Sequence, residues 1–249
     1  MNEVELYKFD VLGYLILEDV LSPEEVAELN RLVDAQSLPE PGLETSGARF
    51  SNYLAWGQSF CTLLDHPAIM PYLKVILGDG FRLDHYYGIY MRAGTERLNL
   101  HGGNTPYDPP EYYHFRNGNM YNGLTVVAWN LTDTGPGKGG FCCIPGSHKA
   151  NYACPPEIKE AHIDSGMVVI PEAKAGSVVI FTEALTHGTA PWTAAYQRRS
   201  LLYKYSPAQQ SWSKTHLQPP TGVTLTPRQQ LLFEPPYFHQ RQSLFTTEE

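Results

Sequence analysis

Cysteine is scarce in this sequence and basic residues are outnumbered. Cys61, Cys142, Cys143 and Cys154 are the only four cysteines in 249 residues, and none forms a CxxC spacing. Cys142 and Cys143 are adjacent, so on a strand they face opposite sides and cannot make a zinc pair. All four are read as small buried hydrophobes in a reducing compartment. Lysine and arginine number 18 against 26 aspartates and glutamates, a formal net charge of −8. That balance argues against a nucleic-acid partner, because phosphate binding needs clustered positive charge. No apolar run approaches the roughly 18 residues of a membrane span. The opening MNEVELYKFD is acidic and lacks the apolar stretch of a secretory signal. The expectation is a cytoplasmic protein that acts on a small molecule, with no nucleic-acid or membrane partner and no sign of its oligomeric state.

What the chain does have is a core and many turns. Hydrophobic residues make up 42% and charged residues only 18%, with 21 glycines and 20 prolines, a composition that excludes disorder and favours short elements. Ser22-Pro23-Glu24-Glu25 reads as a helix start, with a capping serine, proline at the first helical position and glutamate closing a capping box. Val26, Leu29, Leu32 and Val33 then recur at helical spacing, which predicts an amphipathic helix over 22–35. A second helix is predicted between Asp65 and Leu77, closed by Gly78, and the stretch SLPEPGLETSGARF between the two reads as a loop. From residue 81 the texture becomes short runs rich in Val, Ile, Tyr, Phe and Thr, punctuated by Gly, Pro, Asn and Asp, which is the pattern of strands and turns. No run alternates with a long helix, so a parallel sheet is excluded in favour of a double-sheet antiparallel jelly roll. The predicted class is mainly β with flanking helices, in a single domain over 1–249. It divides into a helical N-terminal part at 1–80, a jelly-roll core at 81–205 and a C-terminal wrap at 206–249, with a short helical hint at Pro227–Phe233.

Nine histidines are the main reactive resource. His101 follows RLNL and precedes Gly102-Gly103; His187 follows GSVVIFTEALT and precedes Gly188. Both stand at strand ends with open backbone beside them, and paired imidazoles suit Zn, Fe, Ni or Cu. HGG at 101–103, GGFCCIPGSHK at 139–149, GSVVIFTEALTHG at 176–188 and RRS at 198–200 together resemble the phytanoyl-CoA dioxygenase family, and FDVLGYLILEDVLSPEEVAELN resembles its opening. The resemblance covers roughly residues 8–206. The PGSH turn and an arginine eleven residues after the distal histidine are its more specific marks.

The resemblance implies a non-haem Fe(II)/2-oxoglutarate oxygenase on a cupin-like double-stranded β-helix, using O2 and releasing succinate and CO2 as it hydroxylates a small molecule. It implies that His101 and His187 hold iron, that Arg198 clamps the distal carboxylate of 2-oxoglutarate with its guanidinium fork, that Thr189 hydrogen-bonds the same carboxylate, and that Trp129 lines the cosubstrate pocket. Arg199 is the alternative to Arg198, since successive strand residues face opposite sides. His148 in PGSH is read as shaping the turn. The chain departs from the family at the third ligand, where an H-x-D aspartate would fall on Gly103. Neither Gly102 nor Asn104 can replace it under a shifted alignment. Three readings stay open here: Gly103 leaves room for chloride, as in the iron halogenases; Asp108 or Glu111 reaches in from the loop to ligate; or iron binds with water in the gap or not usefully at all, the last leaving a degenerate binding module. The loop over 104–122, with Tyr107, Tyr112, Tyr113, His114, Phe115 and Arg116, is expected to cover the mouth, where Arg116 or Arg92 could meet an anionic substrate group.

Overall fold

A computed structural model of the chain describes residues 1–44 and 47–245; Thr45 and Ser46 of the predicted loop, and the last four residues of the predicted wrap, lie outside it. The N-terminal part holds α1 (Glu3–Leu12), β1 (Tyr14–Leu17), α2 (Pro23–Asp34), β2 (Ala48–Phe50), α3 (Gln58–Cys61) and α4 (Met70–Leu77). Helix α2 begins as its sequence dictates: Ser22 Oγ accepts from Glu25 N at 3.2 Å, and Glu25 Oε2 accepts from Ser22 N at 2.8 Å. The predicted second helix is shorter than its apolar spacing suggested, because the chain turns through 62–69 before α4 starts. Helix α1 is an addition to the expected elements. Asn2 caps it with the same reciprocal geometry, its side chain accepting from Glu5 N while Glu5 accepts from Asn2 N.

The core strands are β3 (Arg82–Met91), β4 (Leu98–His101), β5 (Tyr113–Arg116), β6 (Asn119–Asn122), β7 (Thr125–Asn130), β8 (Gly140–Cys143), β9 (Val178–Thr182), β10 (His187–Ala190) and β11 (Arg198–Ser206). Short α5 (Pro156–Ala161) joins β8 to β9, and α6 (Pro227–Leu232) follows β11. A six-stranded sheet has the order β1-β9-β7-β11-β3-β2, a three-stranded sheet the order β4-β10-β8, and β5-β6 form a hairpin. Every strand pairing is antiparallel. This is the expected jelly roll, with one change of boundary: β1 and β2, from the part read as helical, form the two edges of the large sheet.

The large sheet is buried on both faces, and residue parity sorts its side chains. Val127 and Trp129 of β7, Val178 and Ile180 of β9, and Leu201, Tyr203 and Tyr205 of β11 pack against the helices. Val126, Ala128, Val179, Phe181 and Leu202 face the small sheet. The buried tyrosines keep their hydroxyls satisfied: Tyr203 donates to Phe60 O and Tyr205 to Leu64 O, both at 2.7 Å, so their rings are buried without an orphaned polar group. The C-terminal segment contacts the helical part and the large sheet. Gln229 of α6 donates to Cys61 O and Asp65 Oδ1, and the backbone of Trp212 and Ser213 donates to the buried Asp84 carboxylate. Among the described residues, no helix is long and apolar enough to cross a membrane.

Candidate metal centre

Two strand ends and one turn build the centre. His101 closes β4 and His187 opens β10, and the two are direct partners in the ladder between those strands. Their ring centroids are 4.2 Å apart. Strand β9 stops at Thr182, and the chain turns at once: Ala184 N donates to Thr182 Oγ1 at 3.3 Å and Leu185 N to Thr182 O at 3.0 Å. That turn brings Glu183, four residues before His187, onto the side of the imidazoles. Glu183 Oε2 lies 3.7 Å from His187 Nε2. The ligating atoms of His101, Glu183 and His187 all fall within 4.8 Å of one another. Gly102 lets this approach happen. With φ +73°, it passes so near the turn that a Cβ there would meet Glu183 O at 2.6 Å and Leu185 O at 2.7 Å.

The imidazoles are oriented for ligation. His101 Nδ1 is 3.0 Å from Asn99 O and His187 Nδ1 is 2.7 Å from Leu185 O. A carbonyl can only accept, so both Nδ1 atoms carry the proton and both Nε2 lone pairs are free. Backbone carbonyls that fix ring and tautomer in this way are the usual support of metal-binding histidines. Burial, with His101 beside it, pushes His187 down to about 3, so the ring is neutral, the form that ligates. Burial pushes the Glu183 carboxyl up, but Lys204 and the imidazoles outweigh it and hold the group well below the ordinary carboxylate range. Two imidazoles and one carboxylate on one side of a cavity are the donor set of non-haem Fe(II) oxygenases, so the residues present fit that metal.

Of the two candidate arginines, Arg198 enters the cavity and Arg199 leaves it. Arg198, Thr189, Asn130 and Lys204 line the same cavity as the three metal-facing residues. Arg198 is 4% exposed, its Nε has no hydrogen-bond partner, and its Nη1 meets only Met91 Sδ at 3.2 Å. No carboxylate among the described residues pairs with it. A buried guanidinium in this state calls for an anionic ligand. Arg199, one residue on and so on the opposite face, is bound to Asp34 at 2.6 Å and to Gln197 and Asn30.

Other expected site residues fall elsewhere. Trp129 does not line the cavity: its neighbours Ala128 and Asn130 do, while its own ring packs in the helical layer against His66, centroids 5.3 Å apart. Its parity on β7 decides this, since it pairs with Leu201 on the face away from the small sheet. Asp108 is also displaced from its expected role. It is exposed, bridges to Glu111 through the backbone, and lies outside the metal-facing group. Glu111 is half-buried; burial first, then the charges of Glu183 and Asp108, push it up to about 7. Gly103, at φ +109°, lines a different cavity with Ile144 and Pro145, and a Cβ there would point at Thr186 Oγ1.

The 104–122 segment is partly ordered into the β5-β6 hairpin, turned by Asn117-Gly118, both at positive φ. Tyr107 and Tyr112 stack on His114 at centroid distances of 5.6 and 5.3 Å. With Arg116, they line an open cavity of about 1110 Å³. Arg92 instead pairs with Glu40 at 3.0 Å. His148 is fully buried in the turn, its Nε2 donating to Asp10 O at 3.0 Å. The residues that sequence reasoning missed are Glu183 and Lys204. Their signal was present, as a lone carboxylate in the apolar run GSVVIFTEALTHG and a lone lysine in LLYKYS.

The fold and parts of the sequence have known counterparts. The structure superposes on HygX from Streptomyces hygroscopicus with nickel and 2-oxoglutarate bound, with a TM-score of 0.74 and 24% identity over 85% of this chain and 89% of that one. The non-heme alpha ketoglutarate dependent epimerase SnoN from nogalamycin biosynthesis superposes with a TM-score of 0.60 and 18% identity, over 82% of each chain. In sequence, the chain is 23% identical to the ectoine dioxygenase of Sphingopyxis alaskensis, over 86% of this chain and 77% of that protein. Residues 92–200, the stretch that carries His101, Glu183, His187 and Arg198, match the phytanoyl-CoA dioxygenase (PhyH) family.

Proposed function

We propose that the protein is an Fe(II)/2-oxoglutarate-dependent oxygenase that hydroxylates a small molecule. The observation that carries this reading is the His101–Glu183–His187 group, its Glu183 and His187 buried and His101 open to solvent, both Nδ1 atoms already committed to carbonyls, with the unpaired Arg198 in the same cavity. Iron bound there would, with 2-oxoglutarate and O2, supply the oxidising equivalent and leave succinate and CO2. Each residue has its own part. His101 and His187 hold the metal through Nε2, and Glu183 supplies the carboxylate that Gly103 cannot. Arg198, with Thr189 beside it in the cavity lining, receives the far carboxylate of the cosubstrate. The apolar walls formed by Phe141, Phe181 and Leu202 exclude water, which strengthens every charge interaction inside. The stacked Tyr107, Tyr112 and His114 rings of the separate open cavity offer a face to a small substrate. Similar proteins, one named for ectoine and one solved with nickel, 2-oxoglutarate and hygromycin B bound, support a small molecule as that substrate.

Hydroxylation is favoured over halogenation by Glu183. With a carboxylate already facing the imidazoles, no chloride is needed to complete the donor set, and Gly103 lines another cavity. Anaerobic addition of Fe(II) and then 2-oxoglutarate should produce a visible charge-transfer band that chloride leaves unchanged, and aerobic incubation should form several equivalents of succinate per protein. A chloride-dependent band would restore the halogenase reading. No band and no succinate would leave a non-catalytic binding module.

A further inference from the structure

The Glu183–Lys204 pair is asymmetric in a way that bears on ligation. Lys204 Nζ donates to Glu183 Oε1 at 2.5 Å, while the other oxygen, Oε2, is the one 3.7 Å from His187 Nε2. The two side chains arrive from different elements, Glu183 from the turn after β9 and Lys204 from β11, and are 3% and 8% exposed. Neither is free to swing. The backbone of Glu183 is pinned by its N–H to Leu124 O at 2.9 Å, and the Lys204 ammonium also sits over the Tyr87 ring, 5.3 Å from its centroid.

A carboxylate can bind a metal through one oxygen or through both. An ammonium is a compact point charge, so it can engage one oxygen and leave the other, whereas a guanidinium fork takes both. Two imidazoles and one carboxylate oxygen leave three positions of a six-coordinate metal open. A keto acid held through two atoms and O2 together need all three. We propose that Lys204 is a positioning residue that confines Glu183 to one-oxygen ligation and so keeps the third position open. This inference rests on reading the site as an Fe(II)/2-oxoglutarate centre.

Two substitutions pull in opposite directions. Lys204→Met frees Glu183 Oε1 to bind the metal as well. It should keep Co(II) binding at the wild-type level or tighter, alter the visible Co(II) spectrum, and weaken 2-oxoglutarate binding to the Co(II) form by about tenfold or more. Lys204→Arg can occupy both carboxylate oxygens, and should weaken Co(II) itself by about tenfold or more, within the range seen when the support of a metal ligand is altered. Calorimetric titration of Co(II) and then 2-oxoglutarate reads both, and circular dichroism of the metal-free variants reports folding. A Lys204→Met protein with wild-type 2-oxoglutarate affinity overturns the proposal, as does one that is folded but has lost Co(II). So does a Lys204→Arg protein with wild-type Co(II) affinity, and that variant decides the matter if Lys204→Met does not fold. Failure of the wild-type protein to bind Co(II) and 2-oxoglutarate would instead overturn the reading of the site.

Discussion

Glu183 stands where strand, turn and metal-facing group meet, and its substitution separates the candidate ligands. Glu183→Gln keeps the side chain's size but loses the charge. It should cost more metal affinity than the ~10–100-fold typical of losing a ligand's hydrogen-bonding partner, while Asp108→Ala should bind metal as the wild type does. Equilibrium titration with Fe(II) under anaerobic conditions distinguishes the two. The arginines separate in the same way. Arg198→Ala should weaken 2-oxoglutarate by at least ~10-fold, since a charge-assisted hydrogen bond contributes about 1.5–3 kcal/mol. Arg199→Ala, on the opposite face, should leave the cosubstrate alone. Of these residues, the two histidines stand out in the sequence by their strand-end, glycine-flanked contexts, and Arg198 only through the family resemblance. Glu183 does not, because the related pattern supplies its carboxylate two residues after His101, where this chain has Gly103. The turn that carries Glu183 back toward His101 is a tertiary fact, fixed by Thr182 and by the close pass of Gly102.

Strand β7 shows how one element sorts function from packing. All six of its residues are buried, so composition cannot tell its two faces apart; only register against β11 and β9 does. Trp129→Ala should therefore cost stability, about 3–5 kcal/mol for a large buried aromatic, read as a shift in the urea midpoint. The affinity of the folded variant for 2-oxoglutarate should stay at the wild-type level. A loss of cosubstrate binding in the folded variant would return Trp129 to the cavity. Elements with a signal of their own are the ones that the sequence shows. Helix α2 carried its own start signal and an apolar stripe, and it appears at Pro23–Asp34 against a predicted 22–35. The Asn117-Gly118 turn is a strong hairpin signal, but the aromatic residues around it give the segment the composition of a loop. Strands β1 and β2 are four and three residues long, too short to show a period beside the helices that flank them.

Across the molecule, His148, away from the candidate metal centre, should share acid sensitivity with His187, whose pKa burial lowers further still. Burial pushes His148 down to about 4, its ring enclosed by Tyr113 and by the backbone at Gly13. In the unfolded chain its pKa returns to about 6.5. Above that value neither state binds the proton, and stability is unaffected. Between about 6.5 and 4 only the unfolded state takes it up, so stability falls as pH falls, by on the order of 3 kcal/mol in all. Below about 4 both states are protonated and this contribution stops changing. His148→Gln, uncharged throughout, should make the urea midpoint of the metal-free protein fall less steeply between pH 6.5 and 4 than in the wild type, with the slope due to His187 remaining. The pairing of His101 with His187 has a different consequence, one of local motion. His101 ends a four-residue strand at the edge of a three-stranded sheet, where opening costs least. A metal shared by the two rings ties that edge to its neighbour, and at a hundred times its Kd adds about 2.7 kcal/mol to any opening that releases it. Amide hydrogens of 98–101 should then exchange more slowly with metal than without, whereas those in the middle of β7 and β11, already exposed only by global unfolding, should change least. Occupancy of the centre would thus be written in the backbone breathing of its outermost strand.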